Sequence, residues 1–221
     1  MSQSRRLTVL FDLDGTLLNS IDFILDCFRH AFVANGLEPK SDQYWLDSIG
    51  QPIKAQMQPW DHDPDLREAL ISAYREYNFK HHDTRITAYD GVAGLLARIA
   101  EMDANIGLVT SKSRMGAERG LHVTKLTSFV TDMVTADDVT NGKPHPEPVQ
   151  KAVERFGSDP SRSIFVGDSV HDMVSGRAAG VKTAAALWGP FDRHLLEPTA
   201  PDYWCETPGD VLGFVRELGN W

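Results

Sequence analysis

The sequence predicts an α/β fold in which a parallel sheet is flanked by helices and one small helical domain is inserted after the first strand. Three observations predict it. Short, nearly continuous apolar runs rich in β-branched residues recur at 7–11, 105–110, 129–135, 163–167 and 181–187, as strands buried on both faces require. Amphipathic helical patterns lie between these runs, and strands alternating with helices imply a parallel sheet with right-handed crossovers. The stretch 19–85 has helical patterns and no strand pattern. The expected domains are a core of residues 1–18 and 86–221 and a helical insertion of residues 19–85.

The elements follow in chain order. LTVLF is the first strand and runs into FDLDGTLLNS. In the insertion, Ile21, Ile24, Leu25, Phe28 and Phe32 form one apolar stripe, and Leu66, Leu70, Ala73, Tyr74 and Tyr77 form a second. Glycines and prolines between them, from Gly36 to Pro64, break the chain into shorter pieces. The aromatic residues at helical spacing are expected to form the insertion's own core. Trp45 and Trp60 fall in irregular stretches, where a place on a pocket wall is open to them. After the insertion, Val92, Leu95, Leu96, Ile99 and Met102 mark a helix before the strand NIGLVT. Val149, Ala152, Val153 and Phe156 mark the helix before SIFVG, and another helix begins near Val170. Val211, Phe214, Val215 and Leu218 mark a last helix after VKTAAAL.

Composition narrows the function. Of 221 residues, 42% are hydrophobic and 24% charged, the balance of an ordinary globular protein. The net charge is -9 and no Lys/Arg cluster exists beyond Arg5 and Arg6, which argues against nucleic-acid binding. No apolar run approaches the ~18 residues of a membrane span, and the N-terminal apolar stretch is too short for a signal peptide. A cytoplasmic protein, monomeric or homodimeric, is expected. Cys27 and Cys205 lie too far apart for a disulfide framework or metal-ligand spacing. The eight histidines show no consistent ligand spacing and receive no role. An anionic substrate would need local positive charge, from a metal or one well-placed lysine.

In open parallel sheets, ligands bind at the carboxyl edge of the strands, so the residues following each strand identify the candidate site. Asp12 and Asp14 follow the first strand, and Thr110 and Ser111 follow NIGLV. Lys143 lies in NGKPHPEP, and Asp168 follows SIFVG with Asp172 one helical turn on. Acids, a hydroxyl and a lysine on one rim fit phosphoryl transfer through an aspartyl-phosphate. A divalent cation, Mg²⁺ by its preference for hard oxygens, would be held by Asp12, Asp168 and a backbone carbonyl, with Asp14 counted in the metal set. Lys143 would neutralise a further phosphate oxygen. The Thr110 hydroxyl and N–H groups around Ser111 would donate to equatorial oxygens. Asp14, two positions beyond Asp12 on an extended chain, would move the proton of the leaving group and then of water. Gly15 would allow the close turn and Thr16 would bond back to the loop.

DLDGTLLNS, the strand ending in Thr110, the lysine of GKPHPEP and GDSVHDM together resemble, in order, the four motifs of the haloacid dehalogenase superfamily. The resemblance implies a Rossmann-like core with a helical cap of the first type and a Mg²⁺-dependent phosphatase activity. YREYNFKHHD, IGLVTSKSR and DDVTNGKPHPEPV are similar to the branch of phosphoglycolate phosphatases and small bacterial pyrophosphatases, with the pyrophosphatase side nearer. The cap turn IGQPIK resembles that family's substrate loop and nominates Gly50 and Gln51, with Lys54 beside them. The expected partner is a small phosphorylated metabolite.

Blander readings compete at each position. DLDG could open a calcium loop, but Phe23 stands where the bidentate glutamate belongs. Lys143 could be a solvated loop lysine. Asp168 could cap the following helix. Asp172 could orient Lys143 or a metal-bound water from outside the metal's own shell, or simply favour the helix dipole in its first turn. Among chemistries, a dehalogenase needs no acid at Asp14, a sugar phosphomutase would keep both aspartates, and a phosphonatase would use a cap lysine such as Lys54. A binding protein on this fold without turnover is the remaining alternative.

Overall fold

The computed structural model describes residues 6–219. Residues 1–5, including Arg5 and the start of the expected core, and residues 220–221 lie outside the described residues. The chain begins with β1 (Thr8–Phe11) and β2 (Leu18–Asn19) and then enters α1 (Ile21–Ala34), α2 (Asp42–Leu46), α3 (Ile53–Gln56) and α4 (Pro64–Arg85). It continues through β3 (Thr87–Ala88), α5 (Val92–Glu101), β4 (Asn105–Val109), α6 (Arg114–Val123), β5 (Asp132–Val134) and α7 (Glu147–Arg155). It closes with β6 (Ser163–Gly167), α8 (Val170–Ala179), β7 (Lys182–Ala186), α9 (Arg193–Leu196), β8 (Tyr203–Cys205) and α10 (Val211–Gly219).

Six strands form one sheet in the order β5-β4-β1-β6-β7-β8, every pairing parallel. Side chains alternate across it with period two. Val9 and Phe11 join Ile106, Leu108, Ile164 and Val166 on one face. Leu10, Val109, Val134 and Phe165 face the other, against Val149 and Val153 of α7. Both faces are covered, which is why these strands read as unbroken apolar runs. The chain builds one side of β1 with β4 and β5 and then crosses to build the other with β6, β7 and β8, and a crevice opens at the carboxyl ends where the order reverses.

The helices α1–α4 carry an apolar cluster of their own, with Phe28, Phe32, Trp45, Met57, Trp60 and Leu70 buried in it. Trp45 stacks on Phe28 with ring centroids 3.9 Å apart and 3° between planes. The structure thus corrects the pocket-wall option for both tryptophans. Each is consumed by packing, since α2 and the turn before α4 would otherwise have nothing to bury. The chain leaves and re-enters the sheet region through β2 and β3, an antiparallel pair with Leu18 opposite Ala88 and Asn19 opposite Thr87. These two-residue strands and β8 are too short for a periodicity to announce them. No helix among the described residues is long and apolar enough to cross a membrane.

Candidate active site

Asp12 stands at the end of β1, its N–H donating to the Val166 carbonyl of β6 at 2.9 Å. Beyond it the chain turns sharply, and the N–H groups of Leu17 and Leu18 return to the Leu13 carbonyl at 2.9 and 2.8 Å. Gly15 makes the turn possible twice over. Its φ is +87°, and a Cβ there would stand 2.8 Å from Asp168 Cγ.

Lys143 is buried at the centre. Its Nζ lies 2.8 Å from Asp12 Oδ1 and 2.6 Å from Asp172 Oδ1. Burial works against the ammonium, but the two carboxylates outweigh it and push the lysine pKa up. The solvated-loop reading of Lys143 therefore fails. Asp172 serves two ends at once: its Oδ2 accepts from the Ser169 N–H and hydroxyl at 3.0 and 2.6 Å, closing a capping box on α8. The cap of that helix is Ser169 and not Asp168. Asp168 instead accepts from the Thr16 hydroxyl at 2.6 Å, so Thr16 reaches across to Asp168 and not back to its own loop.

Asp12, Asp168 and Asp172 each offer an oxygen within 4.8 Å of the others. One ammonium among three carboxylates leaves two formal negative charges unopposed. Asp168 Oδ2 is buried without any hydrogen-bond partner, a costly state for a carboxylate oxygen. Burial raises Asp12 to about 7, with Lys143 opposing and Asp172 assisting. Burial, then Asp172 and Asp12, raise Asp168 well above the usual carboxylate range. A hard divalent cation fits this donor set and its charge deficit.

The Asp14 side chain is not part of that cluster, which leaves only its main-chain carbonyl for the place Asp14 has in the expected metal set. The turn at Leu13 directs its side chain elsewhere. Lys112 Nζ lies 2.9 Å from both carboxylate oxygens, and the Ser20 hydroxyl donates to Oδ1 at 2.7 Å. Burial raises the Asp14 pKa, but Lys112 and Ser20 outweigh it and hold the group below the usual carboxylate range.

A cavity of about 910 Å³ opens over these groups, lined among others by Asp12, Asp14, Thr110, Lys112, Lys143 and Gln51. The turn after α2 forms part of its roof. The Ser111 hydroxyl donates to the Gly50 carbonyl at 2.6 Å, and Gln51 Nε2 lies 3.2 Å from His171 Nε2. Pro52 packs so near Gly142 that a Cβ there would meet its Cγ at 2.9 Å. Gly50, Gln51 and Pro52 thus tie the helical segment to the core at Ser111, at His171 of α8 and at Gly142. Lys54 is exposed and does not line the cavity.

Two cavity residues escaped sequence reasoning. Lys112 lies in SKSR, where no local signal separates it from its polar neighbours. His82 of α4 is buried, with Nδ1 3.0 Å from Asp83 Oδ1 and Nε2 without a partner. Burial lowers its pKa.

A family model described as "Haloacid dehalogenase-like hydrolase" matches residues 9–186. The chain belongs to the haloacid dehalogenase-like hydrolases. Among curated relatives, a "Pyrophosphatase PpaX" of Bacillus pumilus is 39% identical, covering 97% of this chain and 99% of that protein. Another of the same name from Oceanobacillus iheyensis is 36% identical over 95% and 97%. A solved hydrolase from Pseudomonas syringae superposes with a TM-score of 0.85 at 24% identity, covering 96% of this chain and 99% of that one. The structure described as "a predicted phosphoglycolate phosphatase" from Haemophilus somnus gives 0.86 at 21%, with the same coverage. This haloacid dehalogenase-like hydrolase is an enzyme of the phosphatase type.

Proposed function

We propose that the enzyme hydrolyses a small phosphorylated metabolite through an aspartyl-phosphate on Asp12, with inorganic pyrophosphate ahead of phosphoglycolate as substrate. The observation that carries the reading is Lys143 buried between Asp12 and Asp172 beside the unpartnered oxygen of Asp168. That arrangement lets a negatively charged nucleophile approach a phosphate. Pyrophosphate is placed first on the strength of relatives bearing that name at 36–39% identity.

Asp12 and Asp168, with the main-chain carbonyl of Asp14, would hold Mg²⁺. When bound, the ion supplies charge neutralisation for the attacked phosphate. An Asp12 oxygen forms the new bond to phosphorus while the bridging P–O bond breaks, and Asp14, which takes up a proton once the substrate has drawn Lys112 away, passes it to the departing oxygen. Asp14 then takes a proton from water, which opens the acyl phosphate and releases orthophosphate. Lys143 stays protonated beside the transferred group, Asp172 orients it, and the Thr110 hydroxyl and loop N–H groups at Ser111 donate to the equatorial oxygens. Residues 19–85 act as a cap, with Gly50 and Gln51 closing over the substrate and limiting water. A cytoplasmic location fits a substrate of this kind.

The test is phosphate release from pyrophosphate, phosphoglycolate, sugar phosphates and nucleotides, with Mg²⁺ and with chelator. Release from pyrophosphate that vanishes with chelator is expected. A chelator-insensitive activity, or none on any of these compounds, removes the proposal.

A further inference from the structure

We propose that Lys112 is the specificity-determining residue for the part of the substrate that is not transferred, reading a second anionic group on the leaving side. The proposal rests on the phosphohydrolase reading above and names the feature a preferred substrate must carry.

Lys112 lies two residues past Thr110 and just before Ser113, which caps α6. Its stem runs over the first turn of that helix, so closely that a Cβ on Gly116 would stand 3.1 Å from Lys112 Cγ and 3.3 Å from Cδ and Cε. This track delivers the ammonium to Asp14, 2.9 Å from both oxygens. Asp14 is the residue assigned to the departing oxygen. A cation bridging its carboxylate therefore sits beside the leaving group, on a different carboxylate from the one Lys143 serves.

The other cations around the cavity are worse placed. Arg119 is held by Asp83 at 2.7 Å and the Phe79 carbonyl at 2.9 Å, with its guanidinium 4.5 Å from the Phe79 ring. Arg75 and Lys80 are exposed on α4. Lys112, with a side chain 14% exposed, is shielded enough for its charge to count and open enough to exchange partners.

A phosphoanhydride, or a phosphate ester bearing a carboxylate, brings an anion to this point. Lys112 can pass from Asp14 to that anion, which leaves Asp14 free to hydrogen-bond the departing oxygen. An ester with a neutral leaving group offers Lys112 nothing.

Initial rates of the wild type, Lys112→Met and Lys112→Arg with Mg²⁺ test this, on pyrophosphate, phosphoglycolate and p-nitrophenyl phosphate. The ratio of kcat/KM for pyrophosphate to that for p-nitrophenyl phosphate is expected to fall roughly 30-fold or more in Lys112→Met, mainly through KM, with partial recovery in Lys112→Arg. A ratio unchanged within about twofold, both substrates losing alike, would make Lys112 a mere support for Asp14 and overturn the proposal. Calorimetric titration of Asp12→Asn with pyrophosphate and with orthophosphate decides independently of turnover. Adding Lys112→Met must weaken pyrophosphate binding more than orthophosphate binding, and equal weakening defeats the assignment. If the wild type hydrolyses none of the three compounds, the reaction itself is misread, while the titration still judges Lys112.

Discussion

At Asp12, a negatively charged oxygen is held at the end of a central strand with a buried ammonium 2.8 Å away. Asp12→Asn keeps the size and removes the proposed nucleophile, so kcat should fall by roughly 10³-fold or more while circular dichroism and Tm stay near wild type. Retained turnover would take the nucleophilic role from Asp12. Asp12, Lys143 and Asp168 were legible because each follows an apolar run, and a parallel sheet gathers such positions at one edge. Lys112 and His82 were not. The Lys112–Asp14 contact spans 98 positions, and nothing within SKSR says which side chain turns inward. His82 is buried because α4 passes near Gly120 of α6, a crossing that helical periodicity alone does not reveal. Asp172 was half-read: one oxygen meets Lys143, as one reading expected, and the other closes a capping box that the dipole reading did not contain.

Helix α8 shows how an element carries chemistry. Its capping box fixes Ser169 and Asp172, and Asp172 in turn fixes Lys143. Ser169→Ala should cost about 1 kcal/mol of stability from the lost cap, read from urea unfolding. It should also lower kcat, because Asp172 loses the hydroxyl that orients it. A stability loss without any change in kcat would separate the cap from the site. In the helical segment, Trp45→Ala removes a fully buried ring stacked on Phe28 and should cost about 3–5 kcal/mol, seen as a lowered urea midpoint. The apolar stripes of α1 and α4 were visible in the sequence. The short α2 was not, since five residues cannot display a helical period and its stability comes from Trp45 and the Ser41 cap.

For the molecule as a whole, the acidic cluster links folding to pH and, on the proposed reading, to a metal ion. Burial raises Asp12 to about 7, against Lys143 and with Asp172, and burial raises Asp168 as well. A carboxyl with a raised pKa keeps a proton in the folded state that the unfolded chain has released. The metal-free protein therefore loses this contribution to stability as pH rises from the ordinary carboxylate value through about 7. Mg²⁺ competes with those protons, so the increase in Tm on adding Mg²⁺ should be large near pH 8 and shrink toward about pH 6. Asp168→Asn should reduce the increment. Buried His82, whose pKa is lowered mainly by burial, titrates with and without the ion and drops out of the difference. An increment independent of pH would contradict a cation site at these carboxylates. The antiparallel pair β2 and β3 has a consequence at the same scale. Strands side by side, with Leu18 opposite Ala88, mean that the chain enters and leaves everything between them at one narrow place. Such a unit can be lengthened, trimmed or exchanged without rethreading the six-stranded sheet, so under the proposed division of labour the walls over the substrate can change while the carboxylates beneath stay as they are.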